Sequence, residues 1–213
     1  MKNILFFDTE TTGLVNKHKG PTDPVQPLPV QLGMKLDSYN GQEMGALNML
    51  IRPDGWEISP GAIVIHGITK EMATDFGVHF ITAVEVFLDY VSNADVVVAH
   101  NLAFDATVMR RSVHLYSRMI GEPYKDPFEG KLPICTMLAA MDIVKAPHKG
   151  KQFGGKKRTG SQRWKWPKLS ETMMYYFKEE IEGAHDALVD VRACAKVFYQ
   201  LRKDGVFENG KST

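Results

Sequence analysis

Two acidic side chains near the start of the sequence stand where they could hold a cation. Asp8 and Glu10 follow a wholly apolar run, residues 4–7, which predicts a central strand buried on both faces. In an extended chain, residues two apart project to the same face. Two carboxylates held on one face repel each other unless a cation or a shared proton lies between them. For these two residues alone, solvated acids at a strand end, with Gly13 closing a turn, remain the alternative.

Two later segments carry further acids and a histidine. Asp105 follows a predicted buried strand at 96–99 and falls in the first turn of a helix, where an acid also suits the positive end of the helix dipole. Asp186 is a candidate N-cap of the last helix, and Asp190 lies one turn later on the same side. Because like charges at this spacing destabilise a helix, Asp190 needs compensation by a basic side chain or a metal. Taken alone, His185 fits a core or surface histidine as well as a catalytic one.

Taken together, the segments resemble the DEDDh branch of the DnaQ-like exonuclease family. The three motifs are Phe-Asp-Thr-Glu-Thr-Thr-Gly at 7–13, His-Asn-Leu-Ala-Phe-Asp at 100–105 and His-x-x-x-x-Asp at 185–190. A fourth segment, Ile-His-Gly-Ile-Thr at 65–69, is similar to one common in that family. The resemblance extends from residue 3 to about residue 200 and so covers nearly the whole chain.

The resemblance implies an α/β, RNase H-like fold: a mixed five-stranded sheet, its first three strands antiparallel, flanked by helices. It also implies a metal-dependent 3′→5′ exonuclease with two divalent ions, Mg²⁺ or Mn²⁺, which stabilise charge on the attacking and leaving oxygens. Asp8, Glu10 and Asp190 would hold the first ion; Asp8 would also contact the second, and Asp105 would bind through water. His185 would be the general base that takes a proton from the attacking water.

The resemblance further implies contacts with the 3′ end of a nucleic acid. Thr11 and Leu14 would contact the terminal base and sugar, Phe104 would stack or pack nearby, and His66 would line the same cleft; core packing is the alternative. The form Thr-Glu-Thr-Thr-Gly favours single-stranded DNA or a 3′ overhang over RNA. An RNA-trimming exoribonuclease of the same family, an inactive nucleic-acid-binding module and a small-molecule phosphohydrolase are the alternatives. A proofreading or repair role would need a polymerase or another replication or repair partner.

Periodicity predicts the elements that must position these residues. Three early strands joined by loops predict an antiparallel meander, and the later strands and helices alternate as in an α/β sheet. The predicted elements are a loop over 16–29, a half-buried strand from Val30 to Leu36, a strand ending at 48–52, a helix over 80–91, a strand at 96–99, a helix through 108 and 113, a strand ending at 134–135 with a short helix after it, and a last helix from 187 to before 205.

A basic segment over residues 145–168 contains nine Lys or Arg residues and no acid. We expect an insertion loop within a single exonuclease domain, residues 1–205, followed by a tail at 206–213. Lys and Arg side chains supply sequence-independent contacts to phosphates, and tryptophans can stack on unpaired bases. The candidate contacts are Lys156, Lys157, Arg158, Trp164 and Trp166. The alternative is a solvated loop whose tryptophans anchor it to the body of the protein.

Composition narrows the class of protein further. With 213 residues, 44% of them hydrophobic, the chain can bury one substantial core, and its net charge of +1 identifies no partner. No apolar run approaches the ~20 residues of a membrane span, and the start of the sequence lacks the features of a signal peptide. Two cysteines, Cys135 and Cys194, give neither a disulfide framework nor a zinc spacing. We therefore expect a cytoplasmic protein without membrane contact.

Overall fold

The computed structural model describes residues 3–148 and 164–207 of the chain. In that part of the chain, a mixed sheet carries helices on both faces. In chain order the elements are β1 (Asn3–Thr11), β2 (Pro29–Ser38), β3 (Glu43–Leu50), α1 (Pro60–His66), α2 (Lys70–Phe76), α3 (Phe80–Ser92), β4 (Val96–Ala99), α4 (Leu102–Ile120), β5 (Leu132–Cys135), α5 (Thr136–Val144), α6 (Leu169–Phe177) and α7 (Ala187–Lys203).

The sheet has the strand order β3-β2-β1-β4-β5. β1 pairs antiparallel with β2, and β2 pairs antiparallel with β3. β4 pairs parallel with β1, and β5 pairs parallel with β4. This topology confirms the predicted mixed five-stranded sheet with three antiparallel strands first. It also places the carboxyl ends of β1, β4 and β5 along one edge, where ligands commonly bind in α/β sheets.

β1 runs through the middle of the core. Leu5 and Phe7 pack on one face with residues of α3 and α4, whereas Ile4 and Phe6 pack on the other face against α7. All four side chains are at most 1% exposed. Their alternation confirms the prediction of a strand buried on both faces. It also fixes the direction of the residues that follow, since even-numbered positions of β1 face α7.

The prediction that β2 is half-buried was wrong. Gln31, Gly33 and Lys35 are buried like the apolar residues between them, because α7 lies across that face of the sheet. Lys35 is 9% exposed and pairs with Asp37, whose other carboxylate oxygen accepts a hydrogen bond from Tyr199 at 2.6 Å. A polar residue at every second position therefore marks a polar contact with a helix here, not exposure to solvent.

The later elements agree with the predictions for α3, β4, α4, β5, α5 and α7. Three helices were missed: α1, α2 and α6. The predicted loop over 16–29 also extends one residue too far, because Pro29 already belongs to β2. In the described ranges, no helix is long and apolar enough to cross a membrane. A single domain over residues 1–205, with an insertion at 145–168 and a tail from 206, stays a prediction.

Candidate active site

The first two acids lie at the carboxyl end of β1. Continuing the alternation of Ile4 and Phe6, Asp8 and Glu10 belong to the face of the strand that α7 covers. Glu10 is 9% exposed, and Asp8 is partly accessible. The buried strand therefore brings two carboxylates to one place at the sheet edge, as predicted. Thr9, between them, belongs to the opposite face.

Asp105 is attached to the same strand by Thr9. The backbone N–H and the hydroxyl of Thr9 both donate to Asp105 Oδ1, at 3.0 and 2.8 Å. Asp105 is 3% exposed and lies in the first turn of α4, where the helix dipole also favours its charge. The structural and the catalytic interpretations of Asp105 are therefore compatible, because the same carboxylate joins α4 to β1 and lies beside the other acids.

The start of α7 brings a histidine and a further acid to this place. His185 has a positive φ of 70°, which is uncommon for a residue with a side chain, and its N–H donates to Asp190 Oδ2 at 3.1 Å. One potential ligand atom from each of Glu10, His185 and Asp190 lies within 4.8 Å of the others. The turn before α7 thus folds the imidazole back over the carboxylates.

A glycine and two amides seat the start of α7 on the sheet. A Cβ on Gly33 would come within 2.4 Å of the Ala187 carbonyl carbon, so glycine is needed for this close approach. Gln31 accepts from the N–H of Ala187 at 3.1 Å and donates to Asp186 at 2.9 Å. Asn48 donates to both Asp186 oxygens, at 3.1 and 2.9 Å. Asp186 also caps two N–H groups of the first turn, which confirms the predicted N-cap.

This network of hydrogen bonds also determines which acid of α7 lies beside Glu10. The Asp186 carboxylate is held by the amides of β2 and β3, so its neighbour Asp190 is the acid left beside Glu10. Sequence reasoning missed the positioning role of Thr9, Gln31, Gly33 and Asn48. No periodic signal marks these residues, of which three are buried and Asn48 is exposed, although a polar residue at every second position of β2 was visible in the sequence.

Burial first, and then the neighbouring acids, raise the pKa of each acid in this cluster. Burial raises the pKa of Glu10 to about 8, with further contributions from Asp190 and Asp105. Burial raises the pKa of Asp105 to about 7, although the two hydrogen bonds from Thr9 lower it. The pKa of Asp8 is raised well above its usual value by burial and then by Asp105, Asp190 and Glu10. Burial likewise raises the pKa of Asp190, against the hydrogen bond from the backbone of His185.

Such a cluster has the donors and the charge for a divalent metal ion. Hard carboxylate oxygens suit hard cations such as Mg²⁺, and imidazole nitrogen is a common metal ligand. Carboxylates whose negative charge is disfavoured in the free protein gain most from a nearby cation, which lowers their pKa again. The raised pKa values of Glu10 and Asp105 are therefore those expected of residues that bind a cation.

A cavity of about 370 Å³ opens beside the acids. Its lining brings together all four residues predicted to contact a 3′ end, and Glu10 forms part of its wall. Leu14 is 83% exposed, which the alternative of core packing does not explain. Those four residues are Thr11, Leu14, His66 and Phe104.

His66 has a more specific place than sequence reasoning gave it. Its Nδ1 accepts from the N–H of Ile68 at 3.0 Å, so Nε2 carries the proton and donates to the carbonyl of Thr11 at 3.2 Å. Burial lowers the pKa of His66, and the nearby His185 lowers it further. Both ring nitrogens are therefore engaged by the backbone, and the neutral ring supports the cavity wall at Thr11.

The two predicted contacts of the basic segment that the structure describes do not line this cavity. Trp166 is 48% exposed and lines a second cavity, whereas Trp164 is partly buried. The three remaining candidates lie outside the described residues, and their contact with phosphates stays a prediction. They are Lys156, Lys157 and Arg158.

Comparison with known proteins gives a family. A model of the family described as Exonuclease matches residues 5–198. No curated protein matches the chain significantly in sequence.

Solved structures of exonuclease I share the fold. Escherichia coli Exonuclease I in complex with a dT13 oligonucleotide is 19% identical, with a TM-score of 0.70 over 98% of this chain and 43% of that one. A moderately thermophilic Exonuclease I from Methylocaldum szegediense is 22% identical, with a TM-score of 0.66 over 100% of this chain and 42% of that one. The chain thus spans less than half the length of these proteins, and at this identity the likeness shows the fold.

Proposed function

Because the chain belongs to the exonuclease family, among the DnaQ-like 3′→5′ exonucleases with an RNase H-like fold, we propose that it hydrolyses phosphodiester bonds at the 3′ end of single-stranded DNA or of 3′ overhangs. The observation that carries the proposal is the meeting of the five predicted catalytic residues around the carboxyl end of β1, beside a cavity of about 370 Å³. These residues are Asp8, Glu10, Asp105, His185 and Asp190.

We assign the four carboxylates to the binding of two divalent ions, Mg²⁺ or Mn²⁺. Asp8, Glu10 and Asp190 would hold one ion, Asp8 would also contact the other, and Asp105 would bind through water. When bound, the ions would activate a water molecule and stabilise negative charge on the attacking and leaving oxygens. The electrostatics support this assignment, because burial and the neighbouring acids raise the pKa of Asp8 and Glu10 in the free protein.

We assign the general base to His185. Its place within 4.8 Å of oxygens of Glu10 and Asp190 supports this role, and the hydrogen bond from its own N–H to Asp190 restrains the turn that carries it. The imidazole would accept the proton of the attacking water, whose oxygen would bond to the phosphorus while the bond from that phosphorus to the 3′ oxygen of the preceding nucleotide breaks. The terminal nucleotide would leave as a 5′-monophosphate, and the 3′ oxygen of the shortened strand would take up a proton and become a free hydroxyl.

Single-stranded DNA is the proposed substrate, and the cavity beside the acids is its terminal-nucleotide site. Thr11, Leu14 and Phe104 line that cavity, and an exposed leucine at its mouth suits contact with a base. The structural likeness to an Exonuclease I solved with a dT13 oligonucleotide also favours DNA. An exoribonuclease of the same family is the second candidate. A binding module without activity would gain nothing from clustered negative charge next to phosphates.

The test is a single-stranded oligonucleotide labelled at its 5′ end, prepared as DNA and as RNA of the same sequence. Each is incubated with Mg²⁺ and with EDTA. Stepwise shortening that needs Mg²⁺, and that is faster for DNA, supports the proposal. Faster shortening of RNA supports the exoribonuclease, and a gel shift with unchanged length supports the binding module. A polymerase partner would be sought only after the first result.

A further inference from the structure

A second cavity, of about 480 Å³, lies between α4 and the strands β4 and β5, and Val97 and Pro133 of these strands line it. Residues 101–103 form part of its wall, and Phe104, the next residue, lines the first cavity. The two cavities therefore flank the turn that begins α4 and carries Asp105. The loop after β1 approaches both as well, because Leu14 lines the first cavity and Lys17 Nζ lies over the ring of Trp166, which lines the second.

The second cavity is lined mainly by apolar side chains. Leu102, Phe128, Met137 and Leu138 contribute to its wall, and Trp166 contributes an indole that is 48% exposed. The volume falls in the range of about 300–1,000 Å³ that is usual for ligand sites. A planar ring is the kind of ligand that an apolar cavity with an accessible indole favours.

Hydrogen bonds on both sides of Trp166 fix its backbone. The N–H of Lys165 donates to the carbonyl of Ala146 at 3.0 Å, and His100 Nε2 donates to the carbonyl of Pro167 at 3.0 Å. Burial lowers the pKa of His100 to about 4, although the bond to Pro167 raises it, so near pH 7 the ring is neutral and Nε2 carries the proton of this bond. Because the backbone on both sides of Trp166 is already held, only the side chain loses conformational entropy on stacking against a ligand.

Charge and hydrogen-bonding groups lie around this indole. Lys17 Nζ is 5.6 Å from the centre of the Trp166 ring, and the guanidinium of Arg110 is 5.1 Å from the centre of the Phe128 ring. Asn101 lies in the wall with a φ of 77°, and its side chain does not cap α4. The cavity thus offers a cation and an amide next to an aromatic face.

We infer that this second cavity binds an unpaired base of the substrate strand, upstream of the nucleotide that is removed. Trp166 stacks on the base, and Lys17 contacts its phosphate. The inference rests on the proposed function and adds a reason for a single-strand preference, because a paired base would first have to leave its stack. Stacking on an aromatic side chain tolerates all bases, so the site contributes affinity without sequence preference.

The test combines Trp166→Ala with a substrate that lacks one base. Binding of a fluorescent oligothymidylate is measured with Ca²⁺ in place of Mg²⁺, so that the readout does not require turnover. An abasic site is moved along the strand one position at a time. We expect the variant to bind about 5- to 150-fold more weakly, the range for one stacked base. One upstream abasic position should weaken the wild type by a similar factor and the variant no further.

Two variants serve as controls for this experiment. Trp166→Phe keeps an aromatic face, should retain most of the affinity, and covers the case in which the alanine variant folds poorly. Tyr39→Ala removes a side chain of similar exposure, 47%, at the other end of β2, and should bind as the wild type does. The KM for the p-nitrophenyl ester of thymidine 5′-monophosphate reports on the first cavity, so the defect of Trp166→Ala should grow with substrate length.

The inference would be overturned if Trp166→Ala and the abasic site weakened binding independently of each other, wherever in the strand the abasic site is placed. An equal loss on the mononucleotide ester and on long oligonucleotides, or a variant that binds as Tyr39→Ala does, would also overturn it. If the wild type shortens no strand with Mg²⁺ but Trp166 and one abasic position remain coupled in binding, the exonuclease proposal fails and the base site stands.

Discussion

Adding Mg²⁺ to the metal-free protein should release protons from the acidic cluster. The pKa of Glu10 is raised to about 8 and that of Asp105 to about 7. Near pH 7 these values correspond to ~0.9 and ~0.5 bound proton, so the two residues together hold ~1.4 protons. A bound cation lowers both pKa values, and most of these protons must then leave. Near pH 9 the same residues hold only ~0.1 proton.

The release is measured by isothermal titration calorimetry in two buffers that differ in their enthalpy of ionisation. The difference between the two observed enthalpies gives the number of protons released, and Glu10→Gln should reduce it by ~0.9 near pH 7. Metal affinity should also rise between about pH 6 and pH 8, as the sites lose their competing protons. Binding of Mg²⁺ without proton release near pH 7, in wild type and variant alike, would refute this account of the cluster.

The same pKa shifts predict how metal-free stability depends on pH. A carboxyl whose pKa is raised in the folded protein destabilises the fold when it is ionised. The fold is therefore more stable while the carboxyl is protonated, and this contribution is fully present at a pH below the pKa of the unfolded chain, which is near 4. That contribution is lost as the pH rises through the folded values of about 7 for Asp105 and about 8 for Glu10. Thermal unfolding with EDTA should therefore show a less stable protein near pH 8 than near pH 5, and Mg²⁺ should reduce the difference.

Three substitutions test individual roles. Asp190→Ala should abolish turnover and leave the metal-free fold intact or slightly more stable, measured by thermal unfolding, because it removes one of the repelling acids; near-normal Mg²⁺-dependent activity would remove it from the metal site. His185→Ala should cost about 10²–10⁴-fold in rate with little change in binding, and raising the pH should partly restore the rate; an unchanged rate near pH 7 would exclude it as the base. Gly33→Ala places a Cβ 2.4 Å from the Ala187 carbonyl carbon. Displacement of α7 by about 1 Å should then cost about 10²-fold in kcat, and unaltered kinetics would show that the helix yields without moving His185.

The sheet and its acids could be predicted because their signals are local. The apolar run at 4–7 implies a buried strand, and alternation then places Asp8 and Glu10 on one face. The N-cap role of Asp186 could likewise be inferred from the start of an amphipathic helix. The meeting of Asp105 and Asp190 with these acids came from the family resemblance, since no spacing within the sequence relates three separate segments.

The parts that sequence reasoning missed depend on contacts between distant elements. Gln31 and Gly33 were interpreted as the exposed side of β2, yet α7, more than 150 positions later, covers them. α1 was not predicted, although Ser59 and Pro60 carry the signals of a helix start. Its seven residues are too few for the helical spacing of apolar residues to be recognised. The engagement of both His66 nitrogens by the backbone could not be inferred from residue types at all.

We propose above that this acidic cluster removes nucleotides from a 3′ end. The most direct measurement follows a 5′-labelled single-stranded DNA over time with Mg²⁺, with wild type and Asp190→Asn prepared in parallel. We expect a ladder of products that shortens from the 3′ end, a block when the terminal linkages are phosphorothioates, and no ladder with the variant. Early release of the labelled 5′ nucleotide, or an equal ladder from Asp190→Asn, would contradict the proposal.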